Sequence, residues 1–316
     1  FGYPIDGVIL TTGCDKTTPA ALMAAATVNI PAIVLSGGPM LDGSYKGKKV
    51  GSGTVVWEAR KLHAKGEITY DEFMDMVAAS APSIGHCNTM GTASSMNSIA
   101  EALGMSLTGC AVIPAPYRER SQISFETGKR IVDMVHEDLT PSKIMTKEAF
   151  ENAILVASAI GASSNCPPHL TAIARHMGLE LDIEHWQTLG HDIPLLVNCQ
   201  PAGEHLMERF YRAGGVPAIM QELLKNNKLH KNVLTVSGKT VEENLKIKID
   251  VDSDVIKSFE NPLVENAGYI VMRSNFFSSA VMKTSVISEE FRKRYLSDPK
   301  NKNVFEANAV IFEGPE

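Results

Sequence analysis

The order strand, reactive loop, helix, strand at the head of the chain constrains its fold more than any other feature. Gly7-Val8-Ile9-Leu10 reads as a buried strand, the segment from Pro19 to about Val28 as a helix rich in Ala, Leu and Met, and Pro31-Ala32-Ile33-Val34-Leu35 as a second strand running into Ser36-Gly37-Gly38-Pro39. Strands joined through a crossover helix lie parallel, so the pattern predicts an α/β fold, a parallel sheet with helices on its faces. Apolar runs and helical periodicity keep alternating over roughly the first 220 residues. Further helices are expected over Tyr70–Ala79, Ala93–Leu103, Phe125–Val135 and Lys147–Ile160. In the second of these, Met96, Ile99, Ala100 and Leu103 recur at i, i+3, i+4 and i+7, and Gly104 suits the position just past the helix end. Beyond Leu224 the chain turns polar and loses helical pattern, then offers short strand-like runs at Gly268–Met272, Ala280–Thr284 and Ala309–Phe312. The expected organisation is an α/β domain over residues 1–250, followed by the start of a β-rich, barrel-like C-terminal domain over 251–316.

Composition bounds the function. A net charge of −6 supplies no excess of cationic side chains to neutralise phosphates, which argues against a general nucleic-acid binder. No apolar run approaches the roughly 20 residues that span a bilayer. The opening FGYPIDGVIL has no basic segment ahead of an apolar one, so it reads as a chain entering mid-fold and not as a secretory leader. The expected location is the cytoplasm, with the mitochondrion as the alternative, and the five cysteines are expected as reduced thiols.

Chemistry concentrates in Thr11-Thr12-Gly13-Cys14-Asp15-Lys16-Thr17-Thr18-Pro19, between the first strand and the first helix. Thr18 suits the N-cap and Pro19 the first helical position, which puts the loop at the carboxyl end of a parallel strand, where open α/β folds bind ligands. Taken singly, each residue has a bland reading: Cys14 as a core thiol, Asp15 as a turn cap, Lys16 as a solvated cation. Together they set a soft thiolate, a hard carboxylate and an amine side by side. Thiolates suit iron–sulfur clusters and carboxylates suit magnesium, so the loop invites a two-metal reading. A second loop, Gly85-His86-Cys87-Asn88-Thr89-Met90-Gly91-Thr92, also stands just before a helix. Cys14 and Cys87 could converge in space, although two cysteines fall short of a full cluster complement. Cys110 and Cys199 follow apolar segments and read as core, while Cys166 in Ser164-Asn165-Cys166-Pro167-Pro168-His169 is open to either reading.

These two cysteine motifs resemble the family of dihydroxy-acid, 6-phosphogluconate and pentonate dehydratases. The resemblance runs through Ser36–Met40, Gly161–Asn165, Arg212–Pro217, Asn275-Phe276-Phe277 and Lys283-Thr284-Ser285, essentially the whole chain. It implies Cys14 and Cys87 as two of three iron–sulfur ligands, Asp15 as a magnesium ligand, and Lys16 as a carbamylated lysine that offers an anionic oxygen to the same magnesium. The third cysteine and another acidic magnesium ligand are then expected upstream of residue 1. A further acidic ligand and the serine base are expected downstream of residue 316. The implied reaction is loss of water from a 2,3-dihydroxy acid to give a 2-keto-3-deoxy acid, in a homo-oligomer.

Ile113-Pro114-Ala115-Pro116-Tyr117-Arg118-Glu119-Arg120 reads as a polar loop after an apolar strand. With Asn165–His169 it resembles the pentonate branch, which implies an arabinonate- or xylonate-like sugar acid as substrate and a [2Fe–2S] cluster in preference to [4Fe–4S]. The alternatives are a dihydroxy-acid dehydratase of branched-chain amino-acid synthesis and a non-catalytic fragment that only binds sugar acids.

Overall fold

Strand β1 (Val8–Thr12) and strand β2 (Ala32–Ser36) pair in parallel, Val8 opposite Ala32 and Thr12 opposite Ser36, with helix α1 (Thr17–Val28) crossing between them. This is the arrangement in the computed structural model of the chain, which describes residues 2–291 together with 293, 294, 308, 310 and 311. The α/β class therefore holds, but among the described residues the parallel sheet has only these two strands. A short antiparallel hairpin, β3 (Gly43–Tyr45) and β4 (Lys48–Val50), follows. Then come α2 (Val55–Ala64), α3 (Tyr70–Ala79), α4 (Thr92–Ala102), α5 (Arg118–His136), α6 (Pro141–Ile144), α7 (Lys147–Ala159), α8 (Cys166–His176), α9 (Glu184–Gly190), α10 (Met207–Arg212), α11 (Gly215–Lys225) and α12 (Val241–Asn244).

Helices α4 and α7 pack against each other at the centre. Every residue of α4 from Ala93 to Ala102 is buried, polar ones included. Around this pair lie α8, α9 and α11, and Trp186 of α9 meets the ring of Tyr269 edge-on, 4.9 Å between centroids. Val50, Val55, Ala59 and Met76 form a small separate core under the β3–β4 hairpin, α2 and α3.

Most helix boundaries fall within a residue or two of expectation. Helix α1 starts at Thr17, one residue ahead of the expected cap. The exception is α5, expected from Phe125 but starting at Arg118, so Arg118, Glu119 and Arg120 are helical and not loop. The apolar run before it is no strand either. Its Gly109 and Ala111 N–H groups bond to the Glu101 carboxylate at 2.7 and 2.8 Å, and its Cys110 and Ile113 carbonyls accept from Arg120. Side chains thus supply the partners that a neighbouring strand would otherwise have to supply.

Strands β5 (Tyr269–Met272) and β6 (Ala280–Lys283) form an antiparallel pair where two late strands were expected. No closed barrel is present among the described residues. Ala309 and Phe312 of the last expected strand lie outside them. Residues 1–285 make one compact unit and residues 286–316 a second, small one that includes the helical turn Glu289–Phe291. Among the described residues no helix is long and apolar enough to cross a membrane.

Candidate active site

The polar stripe of α4 organises the site. Asn97 accepts from Thr12 Oγ1 at 3.2 Å and Thr18 Oγ1 at 3.3 Å through its Oδ1, and its Nδ2 donates to the carbonyls of Gly13 at 3.4 Å and Ala93 at 2.9 Å. That exhausts the amide's capacity and ties both ends of the Cys14 loop to the helix. One turn earlier, Ser94 donates to the carbonyls of Thr89 at 2.8 Å and Cys87 at 3.3 Å, which secures the second cysteine loop. Ser95 accepts from Ser163 N at 2.9 Å, and Thr92 bonds Ser163 Oγ at 2.8 Å and Asn165 Nδ2 at 3.0 Å. A third loop, at the start of α8, is thereby fixed to the same helix. Ser94, Ser95 and Asn97 are buried, and the backbone and side-chain polar groups that they hold find in them the partners that water would otherwise supply.

Cys14 and Cys87 are both exposed and line one cavity of about 590 Å³, with Gly13, Gly37, Gly38, Met40, Ile84, Gly85, His86 and Ala115. Two of these glycines are required by geometry. A Cβ on Gly38, whose φ is +87°, would lie 2.2 Å from the Ile113 carbonyl oxygen, and one on Gly85, φ +129°, would lie 2.5 Å from Met40 N. The cavity wall is therefore backbone packed against backbone. His86 hydrogen-bonds the Cys87 carbonyl through Nδ1 at 3.0 Å. Its Nε2 is buried without a hydrogen-bond partner among the described residues, and burial pushes its pKa down to about 4.

The Cys14 thiol donates to Asp15 Oδ1 at 3.3 Å. That bond is the main reason the thiol is held above the usual range, with the nearby Cys87 adding a smaller push. The same bond, and then Lys16, hold the Asp15 carboxyl below its usual range. Asp15 Oδ2 is 3.4 Å from Lys16 Nζ, which also lies 3.4 Å from His169 Nε2 on α8. Asp15 and Lys16 are thus next to Cys14 but outside the lining of its cavity, with Lys16 turned towards α8. Burial first, and the Lys16 charge second, hold His169 below the usual imidazole range.

Cys110, Cys166 and Cys199 are buried, so that Cys166 stands with the two cysteines read as core. Arg120 is buried too, its guanidinium donating to the carbonyls of Ser36 at 2.5 Å, Cys110 at 2.9 Å and Ile113. Tyr117 donates to Glu208 at 2.5 Å and accepts from Arg212, while Arg118 is exposed beside Glu119. Of these side chains Arg120 braces the wall behind Gly38, its guanidinium lying where a Cβ on that glycine would come within 2.9 Å of it. His169 and the polar stripe of α4 were missed as site residues. The only signal for the stripe was the unusual density of Ser and Asn in Ser94-Ser95-Met96-Asn97-Ser98 opposite an apolar face.

Two accessible thiols at one cavity, beside a carboxylate, make a soft and a hard donor set within one loop system, and this donor chemistry fits an iron–sulfur cluster and a magnesium ion respectively. Among the described residues no three His, Cys, Asp or Glu side chains converge tightly enough to hold a metal by themselves.

Comparison with known proteins places the chain in a class. The profile of the dihydroxy-acid/6-phosphogluconate dehydratase N-terminal region matches residues 1–244, and the chain belongs to that family of enzymes. Among its relatives are the D-xylonate dehydratase of Caulobacter vibrioides, 60% identical over 315 residues, and the L-arabinonate dehydratase of Rhizobium leguminosarum bv. trifolii, 45% identical over 313. The dihydroxy-acid dehydratase of Acetivibrio thermocellus is 40% identical over 291 residues. These alignments cover 100%, 99% and 92% of this chain but 53%, 52% and 52% of the relatives, so the chain spans about half their length.

Proposed function

We propose that this chain is the cluster- and magnesium-binding part of a sugar-acid dehydratase that removes water from a five-carbon aldonic acid such as D-xylonate or L-arabinonate. The observation that carries the reading is the meeting of Cys14 and Cys87 at one cavity, with Asp15 and Lys16 following Cys14 on the same loop. The substrate class follows the relatives: the identity is 60% to a xylonate dehydratase and 40% to a dihydroxy-acid dehydratase.

In this reading Cys14 and Cys87 hold the iron–sulfur cluster, a [2Fe–2S] centre, and Asp15 with carbamylated Lys16 holds magnesium. When bound, these groups supply Lewis acidity, for the charge that develops as the C2 proton leaves and for the departing C3 hydroxyl. The protein's own part is to place and release charge. Ligation takes the proton from the Cys14 thiol and so frees the Asp15 carboxylate from that hydrogen bond. Gly38 and Gly85 keep the cavity wall at backbone thickness, and α4 fixes the three loops so that ligand positions exist before substrate arrives. The net change is loss of the C2 hydrogen and C3 hydroxyl as water, with the enol settling to the 2-keto-3-deoxy acid.

The test is kcat/KM of the full-length, anaerobically reconstituted protein on D-xylonate and L-arabinonate against 2,3-dihydroxy-3-methylbutanoate. A preference for a pentonate by roughly a hundredfold or more is expected, since a site built to bond hydroxyls rejects an analogue that lacks them. Preference for the branched acid would overturn the substrate class, and no activity on any of the three would overturn the dehydratase reading.

A further inference from the structure

We infer that His169 is a positioning residue of this site: it accepts a hydrogen bond from Lys16 and holds that side chain against Asp15, which makes the first turn of α8 part of the magnesium-binding apparatus. The inference rests on the reading of Asp15 and Lys16 as magnesium ligands given above. His169 lies 153 positions from Lys16 in sequence, yet its Nε2 is 3.4 Å from Lys16 Nζ. Lys16 Nζ can only donate, whether as a free amine cation or as the N–H of the carbamate, so Nε2 is the acceptor and the ring proton sits on Nδ1.

Asp15 alone is a poor clamp. Its side chain is 43% exposed and that of Lys16 64% exposed, and an ion pair so open to water holds a long flexible side chain weakly. His169 adds the second side of the clamp and comes from a rigid element. It sits one turn into α8, next to the Ser163–Asn165 segment that Thr92 and Ser95 fasten to α4. Asn97 fastens the Lys16 loop to the same helix. The backbones that carry Lys16 and His169 are therefore positioned from one common support.

Partners of this kind, which orient a ligand without touching the metal, typically change metal affinity by roughly tenfold to a hundredfold. The experiment is a calorimetric titration of the full-length, cluster-loaded protein with Mg2+ alone, comparing the parent with His169→Leu, His169→Gln and Lys16→Ala. His169→Leu is expected to weaken Mg2+ binding within that range while the visible cluster absorption is kept. His169→Gln, whose amide carbonyl can still accept from Lys16, is expected to recover most of the loss, which a merely structural role would not allow. If His169→Leu fails to fold by circular dichroism, His169→Asn, polar but too short to reach Lys16, takes its place. Parent-like Mg2+ affinity in the Leu or Asn variant, with binding lost in Lys16→Ala, overturns the role of His169 and leaves the site reading intact. Parent-like affinity in Lys16→Ala as well overturns both.

Discussion

Asn97 is the residue on which the candidate site most depends, although no atom of it faces the cavity. All four of its amide hydrogen-bonding positions are engaged, three of them with the strand, loop and helix around Cys14. Asn97→Ala would leave the hydroxyls of Thr12 and Thr18 buried without that acceptor, at a cost of about 1–3 kcal/mol. Urea denaturation followed by circular dichroism should show the lower midpoint. An unchanged midpoint would mean that Thr17, which accepts from the backbone N–H of Cys14 at 3.1 Å, secures the loop by itself. At the same scale, the cysteines sort by exposure. In the reconstituted full-length protein, Cys14→Ser and Cys87→Ser should each lose the visible iron–sulfur absorption, while Cys110→Ala should keep it. Full absorption in either serine variant would remove that residue from the ligand set.

Among the elements, the turn between α4 and α5 has the clearest pH signature. Burial pushes the Glu101 carboxyl up to about 7 from an ordinary 4.5, against the two backbone N–H bonds that favour its charged form. With the folded pKa raised, the folded state binds more protons than the unfolded one between those two values, so this group's contribution to stability falls as pH rises through that window. Glu101→Gln removes the titration. Calorimetric Tm measured from pH 4.5 to 7 should therefore vary less in the variant than in the parent, and equal slopes would refute the assignment. The same turn shows where sequence reading stops. Ala111-Val112-Ile113 is apolar enough for a strand, but its backbone is bonded by side chains, Glu101 and Arg120 on neighbouring helices and Ser36 at the end of β2, that no local pattern displays. Helix α5 was placed late because its first turn, Arg118-Glu119-Arg120, is charged and looks like loop, whereas Arg120 is buried against carbonyls. By contrast, the strand–loop–helix–strand unit around Cys14 was legible, since apolar runs bounded by Gly, Thr and Pro carry local signals. The pairing of Cys14 with Cys87 was readable only as a possibility, and His169 beside Lys16 was not readable at all, because proximity across 153 positions is a property of packing.

At the scale of the whole molecule, stability is unevenly distributed. Helices α4 and α7 are buried almost throughout, while residues 43–79 rest on a small core of their own. Native-state hydrogen exchange should be slowest in 92–102 and 147–159 and markedly faster in 43–79, because segments with few buried contacts open below the global unfolding free energy. Uniform protection across these segments would contradict that order. The place of α4 has a consequence for how the protein would die on heating. Many enzymes inactivate well before they unfold, because a working loop loosens while its scaffold survives. Here the Cys14 loop, the Cys87 loop and the start of α8 are all anchored to one helix at the centre of the core. This anchoring predicts that the three loops melt with that helix, so thermal inactivation and loss of helical structure are expected to follow the same curve.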